Sequence, residues 1–189
     1  MGKMGSFDAK GFKEFQKELG KLQDPDAFVE ACAKDLAARL LKLVVYRTPV
    51  GDYTREVKVT AKRNSKNHKK GEVYTKRINT GGKTGGTLRR GWSSKTHGEA
   101  VSGSGTPQAP EILEYANGLQ VSRSKGVLRI DIINPVEYAS YVEFGHRTPS
   151  HKGWVKGKFM MTISEQELEG MIPTVLEQKI RKYLEGVLN

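Results

Sequence analysis

A chain of 189 residues with 37% hydrophobic content is sized for one globular domain, with length to spare for an arm or extension. No run approaches the roughly 20 apolar residues of a membrane span, and Met1-Gly2-Lys3-Met4-Gly5-Ser6 lacks the apolar stretch of a secretory leader. The formal net charge of +11 sits in one segment. Residues 55–95 hold thirteen basic and two acidic side chains, and the remainder balances at nineteen of each. A block of this kind calls for an anionic partner more strongly than a diffuse excess would.

In chain order, residues 7–22 place Phe12, Phe15, Leu19 and Leu22 at 3-4-3 spacing with lysines between them, the pattern of an amphipathic helix ending near Gly20 or shortly after. A second helix is capped by Asp24, with Pro25 at its first position and Asp26 and Glu30 near the positive end of its dipole. Phe28, Cys32, Leu36, Leu40, Leu43 and Val44 form its expected buried face, and Thr48-Pro49 stops it. Cys32, the only cysteine, reads as a small buried side chain; with no disulfide framework, synthesis in the cytosol is expected. A myristoyl site at Gly2 has only Ser6 in its favour and is not expected.

Val57–Lys62 and Glu72–Ile78 alternate with period two around the polar turn Arg63–Gly71, which predicts a β-hairpin with a cationic tip. Its strands carry few large apolar residues and a lone ribbon is marginal in water, so the arm is expected to order mainly against a neighbour. Thr80–Gly86 reads as a flexible connector. A phosphate-binding loop ending at Gly82-Lys83-Thr84 would need glycine where Arg77 stands, so nucleotide binding is not expected.

Leu88–Thr96, with Trp92, reads as a short helical turn or a strand entry, and Gly103–Pro107 as a loop. The stretch from Ile112 is ambiguous and passes through the turn signal Asn117-Gly118. Gln120–Ser122 and Val127–Ile133 are expected as neighbouring strands turning at Ser124-Lys125-Gly126, the second buried on at least one face and ended by Asn134-Pro135. Tyr138, Tyr141 and Val142 fall at helical spacing, with Gly145 closing the turn; Tyr138, Tyr141, Phe144 and Trp92 are assigned to the core. His146–Lys158 reads as a basic, glycine-containing loop around Trp154.

Ser164 with Glu167 forms a capping box, and Ile163 with Leu168 a hydrophobic staple, for a final helix carrying Leu168, Met171, Ile172, Val175, Leu176, Ile180, Tyr183, Leu184, Val187 and Leu188. Pro173 must kink or divide it. The residues thus describe an α+β chain: two long amphipathic helices packed on a small, mostly antiparallel sheet, with an extended basic β-hairpin arm. Residues 1–189 read as one domain, with the arm inserted at 51–86.

No catalytic constellation is visible. His146 and His151 lie five apart across Pro149 with no cysteine or carboxylate close by, which is poor metal-site chemistry. Glu137 and Glu143 are six apart and fall on different faces of a helix, so Glu143 reads as structural rather than as half of a nuclease site. No G-x-S-x-G element or Cys–His pairing marks a covalent mechanism, and no cofactor is expected. The arm has three readings: a solvated loop, a subunit-docking arm on an acidic neighbour, or a phosphate contact to nucleic acid. Only Tyr53 and Tyr74 lie in or near it, which argues against base-specific or single-strand recognition. The residues by themselves describe a non-enzymatic interaction protein.

Tyr138-Ala139-x-Tyr141-Val142-Glu143-Phe144-Gly145 resembles the signature of a family of small phage tail-component proteins, called tail-completion, head–tail joining or neck proteins. Thr48-Pro49-Val50, Thr87-Leu88-Arg89-Arg90-Gly91-Trp92 and Phe159-Met160-Met161 before the last helix resemble further parts of its pattern. In that family the first two of these elements lie close together, whereas here more than thirty residues separate them. The resemblance implies a structural virion protein, assembled in the host cytoplasm into a closed, typically sixfold ring that joins or terminates the tail at the head connector. Its implied partners are copies of itself, the tail tube protein and the connector or adaptor proteins, with DNA in the lumen and no membrane. On that expectation Lys62, Arg63, Lys69, Lys70, Arg77, Arg89, Arg90, His146, Arg147 and Trp154 make the partner contacts. The competing class is a basic DNA-binding packaging accessory protein.

Overall fold

The structure, a computed structural model, describes residues 25–79 and 85–188. The helix expected over 7–22, the connector residues 80–84 and the side chains of Val187 and Leu188 lie outside the described residues. The fold is α+β, and its strands form three separate two-stranded antiparallel sheets. The chain divides into two compact units, one of residues 1–44, 109–132 and 159–189, the other of 45–108 and 133–158.

The first unit is built on two long helices. Helix α1 (Pro25–Arg47) runs to the stop signal at Thr48-Pro49. Its buried seam is Cys32, Ala37, Leu41 and Val44, continuing through Val45 to Thr48, so Leu36, Leu40 and Leu43 are only half-buried. Residues 36–45, Leu-Ala-Ala-Arg-Leu-Leu-Lys-Leu-Val-Val, are apolar on most sides, and the packing partner rather than the period chooses the seam. Burial pushes the Cys32 thiol pKa up, which keeps it protonated and inert.

The last helix, numbered α6 below (Met160–Leu188), begins four residues before Ser164. Ser164 is therefore not a cap: its hydroxyl donates to the Met160 carbonyl at 2.6 Å, and both residues are fully buried. Ile163, expected to staple Leu168, is exposed, while Met160, Leu168 and Val175 are buried. Pro173 lies within one continuous helix and does not divide it. The two helices lie side by side and antiparallel, with the Phe28 ring stacked on Tyr183 at 4.2 Å and Lys179 Nζ 3.6 Å from Asp35.

The ambiguous stretch is helix α4 (Ala109–Asn117), which buries Ile112 and Ala116; Gly118 N–H donates back to Glu114 and Tyr115, so Asn117-Gly118 ends a helix instead of turning a hairpin. Strands β3 (Val121–Ser124) and β4 (Val127–Ile130) pair around Lys125 (φ 49°) and Gly126 (φ 79°), two positive φ values that suit a tight hairpin. Strand β4 ends at Ile130 rather than Ile133 and buries no side chain fully, because its sheet has only two strands. Arg123 pairs with the Asp26 carboxylate at the start of α1.

The second unit contains the arm, β1 (Thr54–Thr60) and β2 (Val73–Asn79), then α2 (Thr87–Gly91), α3 (His97–Ser102), α5 (Ala139–Phe144), β5 (Gly145–Arg147) and β6 (Trp154–Lys156). Of the two alternatives for Leu88–Thr96, the helical turn is the one formed. Thr48, fully buried, organises the unit: Trp92 Nε1 donates to its hydroxyl at 2.7 Å, and the Arg89 guanidinium donates to its carbonyl, Nε at 2.9 Å. Asn134 ties in the next segment. Its amide donates to the Leu88 carbonyl at 2.9 Å and its oxygen accepts from Val136 N. A Cβ at Gly91 would meet that oxygen at 2.2 Å, which fixes glycine there. Trp92 is in the core at 6% exposure, but Tyr138, Tyr141 and Phe144 are exposed, contrary to the expectation from spacing. The α5 turn is too short to bury both of its sides.

Thr48→Val keeps the shape but leaves the buried Trp92 N–H without its acceptor, and is expected to cost about 1–3 kcal/mol. Urea denaturation of the purified protein reads this directly, and an unchanged midpoint would remove Thr48 from its organising role.

Candidate docking surfaces

All ten residues expected to meet partners fall in the second unit. That unit carries eighteen basic and six acidic side chains, a net +12, against fourteen and fifteen in the first. The charge asymmetry is thus a property of one folded body, and the structure sorts its cations into three kinds.

The first kind faces inward. Arg90 is 6% exposed, and its guanidinium donates to the carbonyls of Ala100 (2.8 Å), Gly85 (3.3 Å) and Gly105 (3.4 Å) and to the Thr87 hydroxyl (3.4 Å). One of these carbonyls lies near the end of α3 and two lie in loops, and a planar five-donor group can satisfy several of them at once. Arg90, expected at a partner contact, braces these carbonyls from inside the unit. Arg89, half-buried on Thr48, has the same internal role.

The second kind belongs to the arm. Strands β1 and β2 pair in register from Thr54↔Asn79 to Thr60↔Val73. Val57, Val59, Tyr74 and Ile78 are half-buried on one face, and the other face is fully exposed. Asp52 holds the base: it accepts from Thr54 N (2.9 Å) and Oγ1 (2.7 Å), and Arg77 Nη2 lies 2.9 Å from its other oxygen. The hydrogen bonds from Thr54, helped by the Arg77 charge, hold the Asp52 carboxyl below its usual range.

The head of the arm is braced by its own polar side chains. Ala61 N–H and C=O bond to Glu72 and Gly71. Asn64 Oδ1 accepts from Lys70 N (2.7 Å), Ser65 Oγ from His68 N (3.1 Å) and Glu72 Oε2 from Lys69 N (2.8 Å). The His68 ring stacks on Tyr74 at 3.8 Å and meets Glu72 Oε1 at 3.2 Å. The bond from Lys69 N, then that from His68, lowers the Glu72 pKa. Lys62, Arg63, Lys66, Lys69 and Lys70 point outward, all exposed, and their cationic groups form no ion pair among the described residues.

The third kind surrounds an aromatic surface. The expected loop at 146–158 is a hairpin, β5 with β6, pairing Gly145↔Lys156, His146↔Val155 and Arg147↔Trp154. Period-two patterning cannot show in strands of three residues; Thr148, which accepts from Gly153 N and donates to Gly153 O, makes the turn. Gly145 (φ 86°) admits the Val155 carbonyl to within 2.4 Å of where a Cβ would stand. Around this hairpin Phe144 and Trp154 are each 62% exposed, Tyr141 and Val155 are exposed, and the His146 ring meets Tyr141 edge-on at 5.9 Å. Four cations (Arg147, Lys152, Lys156, Lys158) and no carboxylate lie between Gly145 and Lys158.

Pro49, Val50, Leu88, Tyr138 and Val142 line a small depression of about 230 Å³, in which three of the sequence motifs meet. Burial raises the Tyr138 hydroxyl pKa there. Among the described residues no cluster of His, Cys, Asp and Glu could hold a metal ion, and no helix is long and apolar enough to cross a membrane.

The arrangement is that of a small scaffold displaying chemically distinct surfaces. Residues 13–145 match the family described as "Bacteriophage HK97-gp10, putative tail-component", and the chain belongs to this family of phage tail components. No curated protein and no solved structure matches it. The matched span contains the arm and ends at Gly145, so the aromatic hairpin and helix α6 lie beyond it.

Arg90→Ala is expected to destabilise the protein by about 2–4 kcal/mol, since one buried and two part-buried carbonyls lose a donor; a thermal melt within a degree of wild type would contradict the bracing role. A pH effect follows from Asp52 and Glu72, whose pKa values are lowered in the folded arm. Their contribution is fully present above the unfolded values, about 3.9 and 4.3, and is lost as pH falls through the lower folded values. Cross-strand NMR contacts between β1 and β2 should therefore fade selectively below about pH 4; arm contacts unchanged at pH 2 would refute the carboxylate bracing.

Proposed function

We propose that the protein is a non-enzymatic structural component of a tailed phage or prophage virion, forming a ring at the neck where it joins or terminates the tail at the head connector. Its partners on this reading are copies of itself, the tail tube protein and connector or adaptor proteins, with assembly in the host cytoplasm. The observation that carries the reading is the exposed aromatic hairpin, with its cationic surround, on a member of a tail-component family. Aromatic side chains with large contact area are the usual anchors of protein interfaces. Trp154, Phe144 and Tyr141 are the anchors here, and His146 and Arg147 set a preference for an acidic partner surface.

The charge division between the units supports head-to-tail contacts. An isologous contact through the +12 unit would oppose like charges, whereas a heterologous contact brings it against the nearly neutral unit of the next copy, and heterologous contacts close into rings. Each two-stranded sheet also keeps unpaired edges within one copy, and these are available to neighbours.

Solution mass of the purified protein, alone and mixed with the tail tube subunit, tests the reading. Rings, alone or on addition of the tube subunit, are expected. Trp154→Ala with Phe144→Ala should leave folding intact and weaken subunit or tube association by about 2 kcal/mol or more, roughly thirtyfold. A wild-type monomer that ignores the tube subunit would overturn the proposal.

A further inference from the structure

We propose that the head of the arm is a preformed binding site for the phosphate backbone of duplex DNA. Labour is divided among the side chains of residues 61–72. The side chains of Asn64, Ser65 and Glu72 bond to the loop's own backbone and Glu72 also to the His68 ring, which fixes the loop, while the five cations Lys62, Arg63, Lys66, Lys69 and Lys70 stand outward with no ion pair among the described residues. Holding five like charges in nine residues is unfavourable by itself. A loop that spends its hydrogen-bonding side chains on keeping them there is ordered in advance for a polyanion.

Two kinds of polyanion could meet it, and the composition of the head separates them. Protein interfaces are centred on aromatic or aliphatic anchors and are depleted in lysine. The head displays no large apolar side chain between Lys62 and Lys70, four of its five cations are lysines, and its one stacked pair, His68 on Tyr74, is closed on itself. Phosphate contact requires cations alone, because its energy comes from counterion release. The shape agrees. A two-stranded ribbon fits the major groove, about 12 Å wide, and the seven-residue strands of the arm, about 24 Å long at 3.4 Å per residue, give it reach. The tip has no exposed aromatic platform for stacking on bases, and contact made through phosphates carries no sequence information.

The test does not require ring formation, so it stands or falls separately from the neck assignment. Fluorescence anisotropy of a 20-base-pair duplex with the full-length protein, from about 50 to 300 mM salt, gives the slope of log affinity against log salt, which approaches −0.9 per phosphate contacted. Lys62→Ala, Arg63→Ala, Lys69→Ala and Lys70→Ala together should reduce the magnitude of that slope by about 3–4. A control with Lys42, Lys95, Arg129 and Lys182 all changed to alanine removes the same charge elsewhere and should change it by less than about 1. Asn64→Ala, which keeps every cation but releases the loop, should weaken binding several-fold at an unchanged slope. Equal effects of the two quadruple variants would overturn the proposal. So would a head variant that binds DNA normally but no longer captures the tail tube subunit, which would assign the head to an acidic protein surface.

Discussion

One threonine carries the second unit. Where α1 ends, its last carbonyls lose their helical partners, and Thr48 sits there fully buried, offering its carbonyl to Arg89 and its hydroxyl to Trp92. A guanidinium at this position also meets the negative end of the helix dipole. Both donors come from the two turns following Gly86, so the end of a long helix and a distant short helix are clasped at one residue. Asn134 extends the clasp through the Leu88 carbonyl. The two sequence elements separated by more than thirty residues are thereby brought into direct contact. The arm leaves and returns at one place: a Cβ on Gly85 would lie 2.2 Å from the Gly51 carbonyl oxygen. Chain length between these glycines can vary without disturbing the clasp.

That geometry also explains what was legible in the sequence. Helix α1, the arm hairpin, the Lys125-Gly126 turn and the glycine stop at Gly145 were all readable, because each depends on local chemistry: a proline stop, period-two alternation, positive φ. The seam of α1 was not, since residues 36–45 are apolar nearly all round and tertiary contact decides. Ser164 was misread for a related reason. A serine followed three residues later by glutamate has the same letters whether it opens a helix or lies one turn inside it, and burial decides between the two. The β5–β6 hairpin was illegible at three residues per strand, and with it went the true setting of Tyr141, Phe144 and Trp154.

Counting charges along the chain found the cationic block but could not divide it. The structure does so partly by residue type. In the second unit the cations that brace the fold are arginines, Arg89 and Arg90 on carbonyls and Arg77 on Asp52, and in the first unit Arg123 on Asp26 is joined by Lys179 on Asp35. The head, in contrast, has four lysines and one arginine. A planar, weakly hydrated fork suits fixed oxygen acceptors, and a strongly hydrated ammonium on a flexible stem suits solvent and mobile anions. The Arg-Arg pair in the second unit's short helix could have been read as internal on this ground alone, beside a tryptophan and after glycines.

The two outward surfaces differ in what they demand of water and salt, and this bears on how such a protein would assemble. Contact through Phe144 and Trp154 gains from removing apolar area from water, an effect that moderate salt hardly weakens. Contact through the head gains from releasing counterions and weakens steeply with salt. On the proposed function the hairpin would fix which protein neighbour is bound and in what register, while the head would add an attraction that is long-ranged at low salt and indifferent to sequence. A carrier of both needs them on separate elements, since lysines packed around the aromatic anchors would have to be desolvated whenever the anchors were buried. Here they stand on separate elements, the anchors on α5 and the β5–β6 hairpin and the cations at the head of the β1–β2 ribbon.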